Sequence, residues 1–285
     1  MKSILIKIYS RFLQILARLI HLLLGTSGGK LAKILPKKQT YILKDYCGKY
    51  TFHVDTNYPM ESIVWLSGIY EVITTQFLEK IIREGDIFID IGANCGALTL
   101  VVASVIGKGK IYAFEPNPSV YSRLQNNLAS NPEIEAVVKT LPLGIGAEKS
   151  QLFLSEDINY RGNSCIISEP SEQKIAVEVV ALDDWAEQEN LERIDAIKID
   201  VEGMEYEVLQ GSKAILKKYH PIVYFETISD FFTHKNYKIQ TIYEFLSSLD
   251  YQIINPQKPY LEIPFSGFYP PNSVAIHPSK KSRLI

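Results

Sequence analysis

Downstream of Gly85 the chain alternates between two hydrophobic rhythms. Short, nearly continuous apolar runs read as buried strands: "DIFIDIG", "KIYAFEP", "VVKTLPLGIG", "IDAIKIDVEG" and "PIVYFET". Longer segments between them carry apolar residues at helical spacing: "ALTLVVASVI", "SVYSRLQNNLAS" and "MEYEVLQGSKAILKKY". Further on, "IQTIYEFLSSL" has helical spacing, and "YQIINP" and "NSVAIHP" read as strands. Strands that alternate with helices are joined by crossovers, so the pattern predicts an α/β fold with a mostly parallel sheet. Upstream, "TYILKDYCGKYTFHVD" alternates like a hairpin turning near Cys47-Gly48, and "IYEVITTQFLEKII" (69–82) is helical in spacing.

Residues 1–24 follow a different pattern. At 100° per residue, Lys7, Arg11 and Arg18 fall on one narrow stripe, and aliphatic residues, Phe12 and Tyr9 cover the rest. The charges argue against a transmembrane span, and no small-residue cleavage site marks a signal peptide. Two readings fit. One is a basic amphipathic helix lying in a membrane interface, which makes the protein peripheral at the inner membrane face. The other is a helix packed on its own domain or on a twin subunit in a homo-oligomer. "GTSGG" stops this helix and "LAKILPKKQ" is a basic linker, so the expected division is 1–38 and a globular domain at 39–285.

In a parallel sheet the ligand sits outside the carboxyl ends of the strands. Reading those ends gives Asp90, Glu115, Asp200 and Glu226, with Glu202 just beyond Asp200. A helix-capping role explains any one of them, and explains Glu202 best. Together they line one crevice with carboxylates, which favours a cationic ligand and rejects polyphosphate.

The first strand end, "DIGANCG", sharpens this. A dinucleotide loop needs a second glycine where the backbone meets the pyrophosphate, and Asn94 stands there; Ala97 takes the third position. No GK[ST] follows, which excludes a P-loop. S-adenosylmethionine carries adenosine without phosphate and has a positive sulfonium and ammonium. Asp90 suits its amino-acid end by charge, and Gly92 and Gly96 suit a tight turn. Glu115, about twenty residues past the glycines, suits the ribose hydroxyls.

The stretches "DIGANCGALTL", "AFEPNPSVYSRLQNNL", "LDDW", "IKIDVEGMEYEVLQG" and "PIVYFE" resemble the FkbM family of S-adenosylmethionine-dependent methyltransferases. The resemblance implies a class I methyltransferase fold: a Rossmann-like, doubly wound, seven-stranded sheet, mostly parallel with an antiparallel last strand. It implies a cofactor site lined by Gly92, Asn94, Gly96 and Glu115, with Ala93, Pro116, Asn117 and Gly144 close by. Leu143 stands where the family often has alanine. It also implies O-methylation of a hydroxyl on a sugar, glycan or related small molecule.

A neutral hydroxyl is a weak nucleophile, so a positioned base is expected. Asp200 is the first candidate and Glu202 the second, and Glu226 would orient the acceptor. Tyr70 and Glu71 are candidates to cap the cleft. Lys198 shares a strand face with Asp200, and a lysine inside a covered sheet must pair with a carboxylate or reach the acceptor. Two other functions compete. An NAD(P)-dependent sugar oxidoreductase or epimerase is opposed by Asn94 and by the absence of a suitable Tyr-x-x-x-Lys. A non-catalytic, membrane-associated protein on this fold is opposed by the crowding of like charges at the strand ends.

Composition narrows the rest. Thirty basic and 32 acidic residues in a 285-residue chain give a net charge of −2, so no global field draws nucleic acid. Cys47, Cys95 and Cys165 show no CxxC, which fits a reduced cytoplasmic compartment without disulfides or zinc. His53, His220, His234 and His277 lack ligand spacing, and metal-free chemistry is expected.

Overall fold

The computed structural model describes residues 9, 12, 13, 15, 16, 39–155, 174–233, 235, 237–264 and 269–285. The chain enters through a hairpin of β1 (Thr40–Tyr46) and β2 (Tyr50–Asp55), with the turn at Cys47-Gly48. Two helices follow, α1 (Pro59–Ser67) and α2 (Val72–Ile81). Then come β3 (Ile87–Ile91), α3 (Ala97–Val105), β4 (Lys110–Phe114), α4 (Pro118–Ala129) and β5 (Val138–Leu141). A side sheet is built from β6 (Gly144–Gly146), β7 (Ser150–Ser155) and β8 (Lys174–Ala181). After α5 (Leu182–Gln188) come β9 (Ala196–Ile199), α6 (Glu205–Gln210), α7 (Lys213–Tyr219), β10 (Ile222–Glu226), α8 (Ile239–Ser247), β11 (Gln252–Ile254) and β12 (Asn272–Ile276).

The main sheet has seven strands in the order β11-β12-β10-β9-β3-β4-β5. Strand β12 runs antiparallel to both neighbours, and the remaining pairs are parallel. The order reverses between β3 and β9, which opens a crevice at the carboxyl ends of those two strands. This is the α/β sheet that the strand pattern predicts and the class I methyltransferase arrangement that the resemblance implies.

Alternation along each strand sorts the core onto two faces. Phe88, Tyr224 and Val274 pack with the hairpin, α2 and α3. Ile89, Ile91, Ile197, Ile199, Val223 and Phe225 pack with α5 to α8 on the other side. Leu13 is buried in the first of these layers, while Tyr9, Phe12 and Ile15 are exposed. Among the described residues no helix is long and apolar enough to cross a membrane. The remainder of residues 1–38, including the basic stripe and linker, lies outside the described residues.

Several elements differ from the sequence reading. "VVKTLPLGIG" forms two strands in two sheets, because Pro142 has no N–H to continue the ladder. "MEYEVLQGSKAILKKY" forms two helices, broken at Gly211, where a Cβ would lie 2.0 Å from the Gly146 carbonyl oxygen. The helix expected from residue 69 begins at Val72, because Glu71 adopts a left-handed conformation (φ 39°). Helices α1 and α5 and strands β7 and β8 were not anticipated, although Pro59 and Gly68 bracket α1 as start and stop signals.

Candidate active site

The site begins where β3 ends. Ile91 passes into Gly92, Ala93, Asn94, Cys95 and Gly96, and α3 starts at Ala97. The glycines at 92 and 96 and Asn94 all have positive φ, so the chain coils tightly before the helix. The close approach at Gly92 is to the protein itself: a Cβ there would lie 1.9 Å from the Asp200 carbonyl oxygen.

Every backbone N–H in this loop already has a partner. Gly92 and Ala93 both donate to the Phe114 carbonyl, at 3.0 and 2.9 Å. Asn94 donates to Glu115 Oε2 at 3.0 Å, and Cys95 donates to Asn94 Oδ1 at 2.8 Å. Gly96 donates to the Ala93 carbonyl at 3.0 Å. A loop that cradles pyrophosphate must offer free N–H groups. This one offers none, so it fits a nucleoside without phosphates.

Glu115 follows β4, one strand over. Its carboxylate accepts from the N–H groups of Asn94 and of Asn117 (2.9 Å), and each oxygen keeps a further lone pair for a diol. Burial pushes its pKa up to about 7, against those two N–H donors. Asn117 is buried and caps α4 through Ser119 N–H. Gly144, at the start of β6, faces Pro116, where a Cβ would sit 3.7 Å from the Pro116 Cβ. These residues fit an adenosine ligand running from the glycine loop past Glu115.

Asp90, near the end of β3, is fully buried. Its Oδ2 accepts from Thr99 Oγ1 at 2.6 Å, and its Oδ1 lies 3.5 Å from Lys198 Nζ.

Lys198 also sits inside. Register aligns Asp90, Lys198 and Tyr224 side by side on β3, β9 and β10. The ammonium donates to the Gly92 carbonyl at 2.7 Å and lies 3.4 Å from Asp200 Oδ2. Burial alone would lower its pKa, but the carboxylates of Asp200, Asp90 and Glu71 outweigh that and raise it. It pairs with carboxylates, as one of the two sequence readings expects, and its side chain is 4% exposed.

Beyond Lys198 the crevice is acidic. Asp200 follows β9 and Glu226 ends β10. Burial, with Asp200, Glu205 and Glu202 nearby, pushes the Glu226 pKa up to about 10. Burial and Asp200 push Glu202 up to about 8. One oxygen of each, Oε2, is buried and has no hydrogen-bond partner among the described residues. No side chain caps α6; the Glu205 carboxylate, at its first residue, instead ties down the preceding turn by accepting from the N–H groups of Val201 (3.2 Å) and Gly203 (3.1 Å). Glu202 instead takes a left-handed backbone (φ 52°).

Glu71 arrives from the other side. It accepts from Thr74 Oγ1 at 2.7 Å, and Thr74 shares a 2.6 Å hydrogen bond with Tyr224 Oη. Burial and Asp200 raise the Glu71 pKa. Burial also raises that of the neighbouring Tyr70, followed by the charge of Glu71. Three non-glycine residues of the site, Glu71, Asn94 and Glu202, thus hold left-handed backbones, a conformation that gathers at functional sites. Among the described residues no group of three or more His, Cys, Asp or Glu could hold a metal ion.

The sequence profile described as the methyltransferase FkbM domain matches residues 90–253, more than half of the chain. The chain belongs to the FkbM methyltransferase family. The domain is therefore that of an S-adenosylmethionine-dependent methyltransferase, and the phosphate-free loop fits this cofactor. The FkbM chain is similar to methyltransferase sdnD of Sordaria araneosa, with 31% identity over 50% of this chain and 67% of that protein. It is similar to hexuronic acid methyltransferase AglP of Haloferax volcanii (27% identity; 55% and 62% covered). It is also similar to 2-O-methyltransferase NoeI of Sinorhizobium fredii (25%; 50% and 64%). The chain spans about two thirds or less of the length of these curated relatives. Among solved structures, the methyltransferase FkbM of Methylobacillus flagellatus KT aligns with 14% identity and a TM-score of 0.46, over 76% of this chain and 52% of that one.

Proposed function

We propose that this FkbM chain methylates a hydroxyl of a sugar, glycan or related small molecule, with Asp200 as general base. The observation that carries the reading is the position of Asp200: it follows β9, the strand beside the glycine loop, and is braced by the Lys198 ammonium at 3.4 Å. When bound, S-adenosylmethionine supplies a methyl carbon made electrophilic by its sulfonium. Asp200 takes the hydroxyl proton as the oxygen attacks, a role worth roughly 10²- to 10⁴-fold in rate. Glu226, with its pKa near 10, keeps its proton at neutral pH and donates to an acceptor oxygen. Glu202, near 8, is the weaker base candidate for the same reason. Tyr70 and Glu71 form the opposite wall of the acceptor pocket, and Lys198 positions Asp200 and the loop. Two relatives support the acceptor class by name, one a hexuronic acid methyltransferase and the other a 2-O-methyltransferase.

Methyl-donor turnover across a panel of sugar acceptors tests the reading. The Asp200→Asn variant should bind adenosylhomocysteine as the wild type does and lose about 100-fold or more in turnover. Turnover retained within a few-fold would remove Asp200 as the base.

A further inference from the structure

Among the described residues no strand lies beside the outer edge of β2, and two asparagine side chains bond to it there. Asn131 accepts from Thr51 N–H at 2.7 Å and donates back to the Thr51 carbonyl at 2.8 Å. Asn127, one helical turn earlier on α4, accepts from His53 N–H at 2.8 Å. Its amide then does something Asn131 does not: Nδ2 donates to the Cys95 carbonyl at 2.7 Å. A second link runs directly from the hairpin, where Tyr46 Oη donates to the Ala97 carbonyl at 3.0 Å.

Cys95 and Ala97 flank Gly96. The loop is therefore gripped on its N–H side by Phe114 and Glu115, and on its carbonyl side by the hairpin. Both gripping side chains are buried, Asn127 at 1% exposure and Tyr46 at 0%, so water does not compete for these bonds. Asn94 lies in the same loop with a strained left-handed backbone (φ 52°), which persists only where the surroundings hold it.

We propose that the N-terminal hairpin positions the cofactor loop through Asn127 and Tyr46. Both act as positioning residues, since neither needs to touch the ligand. The inference rests on S-adenosylmethionine being the ligand of that loop.

The test compares Asn127→Leu, Asn131→Leu and Tyr46→Phe in the full chain. Calorimetry with adenosylhomocysteine reads the ligand, and amide hydrogen exchange of residues 92–98 reads the loop without it. Both asparagine variants should melt lower, because each strips bonds from β2. Only Asn127→Leu should weaken the ligand, by about tenfold or more, and speed loop exchange. Asn131→Leu removes bonds to Thr51 and to the Asn127 carbonyl (2.7 Å) but none to the loop, so it should change both readouts clearly less than Asn127→Leu does. Equal dissociation constants and equal loop exchange in the two variants would overturn the proposal. Should Asn127→Leu fail to fold, Tyr46→Phe decides: faster loop exchange supports the grip, and wild-type exchange with unchanged affinity refutes it. A wild-type chain silent to adenosylhomocysteine would refute the cofactor assignment, and the exchange comparison would still judge the hairpin.

Discussion

Replacing Glu226 by glutamine should make the protein more stable as the pH rises. In the folded chain this carboxyl is buried beside Asp200, Glu205 and Glu202, and titrates near 10 instead of 4.5. Below 4.5 both folded and unfolded chains hold the proton, and the group favours neither. Above 4.5 the unfolded chain releases it while the folded chain keeps it, so stability falls until the pH passes 10. Each pH unit in that window is worth at most about 1.36 kcal/mol for one group. From pH 6 to pH 9 the ceiling is roughly 4 kcal/mol, and partial wetting with relaxation of the neighbouring acids brings about 2 kcal/mol. Glutamine has nearly the same shape and no proton to hold. Its melting temperature should therefore gain on the wild type by about 4–8 °C between those two pH values. Thermal unfolding followed by circular dichroism at pH 5, 6, 7, 8 and 9 reads this directly. A difference between the two proteins that stays constant across the series would refute the buried, proton-holding Glu226.

Two further substitutions probe the frame around the loop. Gly92→Ala puts a methyl group 1.9 Å from the Asp200 carbonyl oxygen in a positive-φ position. It should lower stability by about 1–3 kcal/mol and weaken adenosylhomocysteine, measured by thermal unfolding and calorimetry. Lys198→Met strips the counter-charge from Asp90, which has no exposed surface, and loosens Asp200. It should destabilise the chain by about 3–5 kcal/mol in urea unfolding, whereas a near-neutral result would contradict the buried pairing.

The sheet was legible because hydrophobic rhythm is a local property. "DIFIDI", "KIYAF" and "PIVYFE" are apolar enough to be buried on both faces, and each became a parallel strand. The hairpin was legible from alternation and from the Cys47-Gly48 turn. What escaped depended on contacts between distant segments. The break at Gly211 comes from the Gly146 backbone, which approaches from the side sheet. Strand β8 pairs with β6 and β7, and nothing within "KIAVEVVA" announces those partners.

At the site, the residue types were readable and their directions were not. The acids at 115, 200 and 226 were legible as strand ends. Asp90 looked equivalent to them, and its partners Thr99 and Lys198 could not be read from the pattern. Glu205 was passed over in favour of Glu202. The left-handed backbone at 202 leaves that residue outside the helix, and Glu205 bonds the turn before it. The roles of Asn127 and Tyr46 follow from bonds that span 32 and 51 residues, a distance at which periodicity carries no signal.

The N–H groups of residues 92–96 are all engaged within the protein, which suits a sulfonium nucleoside and turns away linked phosphates. Isothermal calorimetry of the full chain with adenosylhomocysteine and, separately, with NADH tests it most directly. Adenosylhomocysteine should bind saturably, and NADH should give no heat. Tight uptake of NADH with silence toward adenosylhomocysteine would contradict it.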